Sequence, residues 1–331
     1  MIHDNNESNN AISWFHPTED FQMWKAKITR KVVEKDDCGF NEYTMIEQCI
    51  GSKGQFGHVS LCEREKGRRY AVKFRDKSKA EKTIDLDPLT RKLTNRLHRL
   101  RDEIDILSTL YHRNVMLTFE IVECESTIRI VSELLKPSHC CWDAKSKAFT
   151  HRRLSERKCH EYFCDLLRAL RYLKENHICH GDIRPSNICF NCCFDEVVVC
   201  DFGEAVRLQD GQHTIRTQYG TKEFWSPEKL SCGASGFDGY EADLWAAIVT
   251  LYIWHKSSLP KRLDDGEIIF ESTDSKALQD LIRTALSLNR SERLTCTDSV
   301  VKHGWIGGEI ALRRREEAGN ALRRHRKSKE S

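Results

Sequence analysis

Apolar positions along the chain follow two rhythms. From Tyr43 to Phe74 they come in short runs broken by glycine: Thr44 to Ile50, Val59 to Glu63, and Arg69 to Phe74. That pattern predicts strands, and Thr127 to Leu135 repeats it. Elsewhere the spacing lengthens to a helical period. Leu93, Leu97, Leu100, Ile104, Leu107 and Tyr111 form one stripe, and Asp87-Pro88 ahead of it reads as a helix start, with Asp as cap and Pro in the first turn. Lys158 to Asn176 turns Phe163, Leu167, Leu170 and Leu173 to one side. Ala242 to Trp254 is apolar nearly all round, which predicts a buried helix, and Lys276 to Leu288 predicts a further one. Thr18 to Val33 carries Phe21, Trp24 and Ile28 at i, i+3, i+7, a helical spacing that competes with a solvated arm. The order is a strand-rich N-terminal third and a helical remainder, an α+β chain without internal repeats.

Composition narrows the classes. Among 331 residues, 53 Lys and Arg nearly balance 50 Asp and Glu, leaving a formal charge of +3 and no electrostatic argument for nucleic acid or a membrane surface. The longest apolar run, Ala246 to Trp254, falls well short of the roughly 20 residues of a membrane span. Met1 to Asn10 is polar and acidic, unlike a signal peptide, so the 15 cysteines are expected as reduced thiols in the cytoplasm. Cys189-Phe190-Asn191-Cys192 has no second pair at metal-finger spacing and reads as a hairpin with small side chains.

Chemistry concentrates in a few segments. His180-Gly181-Asp182-Ile183-Arg184-Pro185-Ser186-Asn187 is followed by Asp201-Phe202-Gly203. An Asp five residues before an Asn can accept a hydroxyl proton while the Asn holds a metal, and a second Asp returned by a short hairpin can grip Mg²⁺ on phosphates. Ile50-Gly51-Ser52-Lys53-Gly54-Gln55-Phe56-Gly57-His58-Val59 lies between predicted strands, where glycines let backbone N–H groups approach phosphates. Ala71-Val72-Lys73 follows on the next strand, and Glu103 sits beside Ile104 of the helical stripe, where it can pair with Lys73.

On these motifs the chain from Tyr43 to Trp305 resembles a eukaryotic protein kinase. His112-Arg113-Asn114-Val115, the His180 to Pro185 run, and Gly220-Thr221-Lys222-Glu223-Phe224-Trp225-Ser226-Pro227-Glu228 make it similar to the calmodulin-kinase group, especially the giant muscle kinases of the titin, obscurin and twitchin type. The resemblance implies a bilobal fold: an extension over 1–42, a catalytic domain over 43–305 with lobes 43–135 and 136–305, and a basic tail over 306–331. It implies an ATP- and Mg²⁺-dependent serine/threonine kinase acting on protein substrates, with Asp182 as catalytic base, Arg184 near the γ-phosphate, and Asn187 and Asp201 on the metal. Thr221 helps define the acceptor site. Nucleotide contacts are implied from Ile50, Gly51, Gly54, Gly57, Val59, Ala71, Lys73 and Glu133. Glu228 is expected to pair with Arg293, and Asp243 and Trp245 match the start of the family's central helix.

Several positions depart from that pattern. Ser52 disturbs the glycine loop, Pro137-Ser138-His139 replaces a hinge segment with a glutamate, Ser132 is a small gatekeeper, and Cys189 stands under the adenine ring. Gly181 occupies the place of an arginine that reads activation-loop phosphate, so phosphorylation of Thr214, Thr217 or Tyr219 has lost its usual partner. Lys256 to Thr273 is short and polar, which predicts that a substrate-docking helix is trimmed or missing. These departures support an alternative, a pseudokinase serving as a nucleotide-binding or scaffolding module. The tail carries eight basic residues from Arg313 to Lys329 but few bulky anchors, so a solvated basic extension is favoured over a calmodulin target. Cytoskeletal or muscle partners follow only from the family likeness.

Overall fold

The computed structural model describes residues 29–32, 42–50, 57–64, 67–136, 142–143, 148–149, 153–191, 195–261, 268–271 and 274–307. In chain order the first elements are β1 (Thr29–Val32), β2 (Tyr43–Glu47), β3 (Gly57–Arg64), β4 (Arg68–Asp76), α1 (Lys77–Lys82), β5 (Ile84–Leu86), β6 (Leu93–Asn95), α2 (Arg96–Leu107), β7 (Thr118–Glu123) and β8 (Thr127–Glu133). Two compact units result. One draws on Met1–Ala80 and Leu117–Leu134, the other on Glu81–Met116 and Leu135–Ser331.

The first unit is a six-stranded sheet in the order β1-β7-β8-β4-β3-β2. Its β2, β3, β4 and β8 strands are the ones the short apolar runs predict, whereas β7 is not among the strands expected from sequence. Cys62, Val72 and Val131 are fully buried under it, with Tyr43 closing one end and donating its hydroxyl to Glu120 Oε2 at 2.8 Å. Tyr70 meets Tyr43 and Phe119 edge-on, at 5.7 and 5.3 Å between ring centres.

Two expectations are corrected here. The helix predicted over Thr18 to Val33 does not include its last turn: Thr29–Val32 is a strand, paired in parallel with β7 from Thr29↔Glu120 to Val32↔Glu123. The remainder of that window lies outside the described residues. Ladder hydrogen bonds along a sheet edge, with a β-branched residue at each end of the segment, outweigh the helical spacing there. The helix predicted to start at Asp87-Pro88 starts instead at Arg96. Asp87 Oδ1 does accept from the backbone N–H groups of Leu89 and Thr90, at 3.0 and 2.6 Å, but these bonds close the β5–β6 hairpin. Arg91, at φ 59°, completes the reversal, and Leu93 lies on β6 with 75% of its surface exposed. A helix N-cap and an Asx turn use the same donors, so the sequence pattern does not separate them.

The second unit holds the β5–β6 hairpin and α2 together with the rest of the chain: β9 (Trp142–Asp143), β10 (Ala148–Phe149), α3 (Glu156–Glu175), β11 (Ile178–Cys179), β12 (Ile188–Asn191), β13 (Glu196–Val199), β14 (Val206–Arg207), β15 (Thr214–Ile215), α4 (Pro227–Leu230), β16 (Phe237–Asp238), α5 (Gly239–Lys256), α6 (Lys276–Ala285) and α7 (Thr297–Val301). Ser155 caps α3 by accepting from Lys158 N, and Asp238 caps α5 by accepting from Tyr240 N and Glu241 N. α5 is buried on almost every side, as its composition predicts, and packs on α3. Among the described residues between α5 and α6, 257–261, 268–271 and 274–275, there is no helix. The Arg293 guanidinium lies 4.9 Å from the Trp245 ring and grips Glu228 by two hydrogen bonds of 2.8 and 3.0 Å, the pair expected from sequence. That pair holds the Glu228 carboxyl below its ordinary pKa, through the Arg293 hydrogen bonds and charge acting against burial. No helix among the described residues is long and apolar enough to cross a membrane.

Candidate active site

The β12–β13 hairpin sets the register of the site. Ile188 faces Val199, and one step beyond, Cys200 N donates to Asn187 O at 2.9 Å. Asn187, at the end of one short 3-10 turn, and Asp201, at the start of the next loop, therefore emerge side by side. The Asn187 amide nitrogen donates to the Asp182 carbonyl at 2.8 Å and to Asp182 Oδ2 at 2.9 Å. Asp182 Oδ1 accepts from Thr221 N at 2.8 Å, and Arg184 Nε donates to Oδ2 at 3.2 Å. One carboxylate is thus fixed by three neighbours. The Asn187 carbonyl oxygen and the Asp201 carboxylate are hard oxygens of the kind that suit Mg²⁺. Asp201 itself holds a left-handed backbone, φ 63°, which Asp tolerates better than most residues.

The loop carrying Asp182 hangs from two buried charges: Asp243, matched from sequence only to the start of the central helix, and Lys229, which the sequence did not single out. Asp243, at the start of α5, accepts from His180 N at 2.6 Å and from Gly181 N at 2.9 Å. Burial raises its pKa, against the pull of His180 and those two N–H donors. Lys229 of α4 is also buried, donates to Gly181 O at 3.1 Å and lies 4.6 Å from the Tyr219 ring centre. Desolvation brings its ammonium down to a pKa of about 8 even with Asp243, Asp182 and Glu204 nearby. Gly181 sits at φ 79°, and a Cβ there would lie 2.2 Å from Tyr219 Cε2 and 2.6 Å from Glu204 O. The arginine that the family usually carries has no room beside this Tyr219.

Glu204 provides a second anchor. It pairs with Arg96 at 2.6 Å and with the buried Arg99 at 2.9 Å, both on α2, and Arg99 stacks 4.8 Å from the Tyr219 ring centre. Burial raises the Glu204 pKa, and the two arginines oppose the shift. The β5–β6 hairpin adds a third. Arg216 N donates to Pro88 O at 2.7 Å, Arg216 Nη1 to Leu89 O at 3.0 Å, and Thr217 Oγ1 to Asp87 O at 2.9 Å. Of the three candidate phosphorylation sites, Thr217 and Tyr219 are therefore buried, 8% and 7% exposed. One signal was legible: Arg99 beside Leu100 puts an arginine on the buried stripe of a helix, which demands a carboxylate partner.

The remaining candidates, Glu103 excepted, lie on the first unit. Lys73 is on β4, between Val59 of β3 and Ile130 of β8, with Ala71 two residues earlier facing Leu61 and Ser132. Ser132 Oγ donates to Ala71 O at 3.2 Å. Ile50 N donates to Val59 O at 2.8 Å, so the strand ends flanking the glycine loop stay together. Gly57 is required by packing, because a Cβ would meet Phe74 O at 1.7 Å. Gly51 and Gly54 lie outside the described residues. Glu133 Oε1 accepts from Leu117 N at 2.9 Å, and burial raises its carboxyl to a pKa of about 7. Glu103 is buried on α2 of the second unit.

The profile of the protein kinase domain matches residues 44–306. The chain belongs to the protein kinase family. This kinase-family chain is 28% identical over 327 residues to a probable serine/threonine-protein kinase, fhkE, of Dictyostelium discoideum, covering 92% of itself and 43% of that protein. It is 29% identical over 322 residues to the serine/threonine-protein kinase par-4 of Caenorhabditis elegans, covering 91% and 49%. It is likewise 29% identical over 293 residues to the calcium/calmodulin-dependent protein kinase kinase of the same organism, covering 80% and 52%. The chain spans about half the length of these relatives.

Proposed function

We propose that this chain is a cytoplasmic protein serine/threonine kinase, transferring the γ-phosphate of ATP to Ser or Thr hydroxyls of protein substrates. The observation that carries the reading is the Asp182 carboxylate, held by Thr221 N, the Asn187 amide and Arg184 Nε. A base fixed in this way orients the acceptor hydroxyl and takes its proton as the phosphoryl group transfers, and phosphoryl transfer depends chiefly on such positioning and on charge stabilisation. Arg184 brings positive charge to the place where the transferring group is most negative. Asn187 and Asp201 would hold Mg²⁺, which neutralises phosphate charge when bound. Lys73 would bind the phosphates with Glu103 as its partner, and Ile50, Val59, Ala71 and Glu133 would contact the nucleotide. The family profile, ending at 306, supports a catalytic domain over 43–305 followed by a basic tail.

Within the family, the short motifs favour the calmodulin-kinase group, and a relative named myosin light chain kinase, from Gallus gallus, is 28% identical over 277 residues. The giant muscle kinase likeness, and cytoskeletal substrates with it, rest on those motifs alone. Asp182→Asn tests the central claim. Transfer of labelled phosphate to a generic basic protein should fall by about 10²–10⁴-fold, while the thermal shift produced by ATP and Mg²⁺ persists. Wild-type transfer no faster than the variant's would leave the scaffolding alternative in its place.

A further inference from the structure

The β12–β13 hairpin also carries two thiols that phosphoryl transfer does not use. Cys189 faces Val198 across the ladder, and Cys200 lies two residues beyond Val198, so the pleat turns both side chains to the same face. Their sulfurs are 3.3 Å apart, in van der Waals contact, and both residues are half-buried thiols. Cys200 Sγ is also 3.2 Å from Asn187 O, the carbonyl that its own backbone N–H binds. The pair therefore touches the end of the catalytic loop on one side and Asp201, the next residue, on the other. The visible spacing, Cys189 to Cys192, does not identify the partner; the hairpin register does.

We propose that Cys189 and Cys200 form a reversible oxidation site, closed to a disulfide by hydrogen peroxide and reopened by a dithiol. The sulfur of one thiol attacks the peroxide; an S–O bond forms, the O–O bond breaks, and a sulfenic acid and one water result. The second sulfur then displaces the hydroxyl; the S–S bond forms, the S–O bond breaks, and a second water leaves. Two thiols lose two electrons and two protons, and one peroxide becomes two waters. Diagonal positions of a ladder hold their Cα atoms about 7–8 Å apart, whereas a disulfide spans at most about 6.8 Å with sulfurs about 2.05 Å apart. Closure therefore draws the hairpin inward and displaces Cys200, and with it Asn187 and Asp201. The loss of phosphate transfer that this entails rests on the kinase reading; the disulfide itself does not.

The experiment treats the full chain with hydrogen peroxide, blocks the remaining thiols, digests without reductant and maps the peptides by mass. The expected product joins the Cys189 and Cys200 peptides, two hydrogens lighter than their sum, and disappears with dithiothreitol. Transfer activity should fall at least tenfold on oxidation and return on reduction. Cys189→Ser and Cys200→Ser should each lose less than twofold on peroxide, relative to the same variant untreated. A map in which other thiols are oxidised but these two are never joined overturns the site. A joined peptide with unchanged transfer overturns its control of activity. If the untreated chain transfers no phosphate, the kinase reading fails, and the joined peptide alone still decides the oxidation site.

Discussion

At Gly181 the absence of one carbon determines how the loop before Asp182 is built. The backbone is left-handed, φ 79°, and the Tyr219 ring and Glu204 carbonyl fill the space a side chain would need. Any other residue meets both backbone strain and a steric clash. Gly181→Ala should therefore destabilise the chain by about 1–3 kcal/mol from strain alone, read as a shift in the denaturant midpoint at unchanged m-value. A change below about 0.5 kcal/mol, within the range of an ordinary surface substitution, would mean that Tyr219 swings aside freely. The sequence identified this position as a missing arginine. It did not reveal what replaces the arginine, because Tyr219, Lys229 and Glu204 are brought to Gly181 only by tertiary folding.

Among elements, the β5–β6 hairpin and α2 together hold the segment from Glu204 to Thr217. The hairpin backbone binds Arg216 and Thr217, and α2 binds Glu204 through Arg96 and Arg99. The Thr217 hydroxyl is spent on Asp87 O, buried against the hairpin backbone. Phosphatase treatment, with phosphate loss confirmed by mass, should thus leave transfer within tenfold of the untreated rate. A larger fall, worth more than about 1.4 kcal/mol of barrier, would mean that a cation of this chain reads a phosphate after all. Legibility at this scale follows from length of pattern. α3 was readable because periodic burial runs through the whole helix, and α5 because its run is apolar nearly all round. The hairpin was not, because Leu93 fits the α2 stripe by spacing alone and Asp87 makes cap-like bonds in either conformation. The strand at Thr29–Val32 was not, because four residues carry too little pattern to outweigh three aromatic or aliphatic positions at helical spacing upstream.

For the molecule as a whole, the ordered motifs from Ala71-Val72-Lys73 to Asp201-Phe202-Gly203 were enough to indicate the family, since each places a charge that phosphate chemistry needs. They also suggest where a minimal chain would begin, and the family profile, starting at residue 44, suggests the same. That cut would remove β1, and β1 is the outer partner of β7. Ile121 and Val122 of β7 are fully buried, so the newly exposed edge would be a strand of high apolar content with unpaired backbone donors and acceptors. Such an edge recruits a strand from another copy unless charges oppose it, and Glu120 and Glu123 are the only acids on this one. Residues 43–331 should therefore self-associate, giving a light-scattering mass above the monomer at concentrations where residues 1–331 remain monodisperse. Equal behaviour of the two would show that the glutamates guard the edge unaided. For anyone preparing the catalytic domain, the segment that looks dispensable in the family comparison is the one that covers the β7 edge.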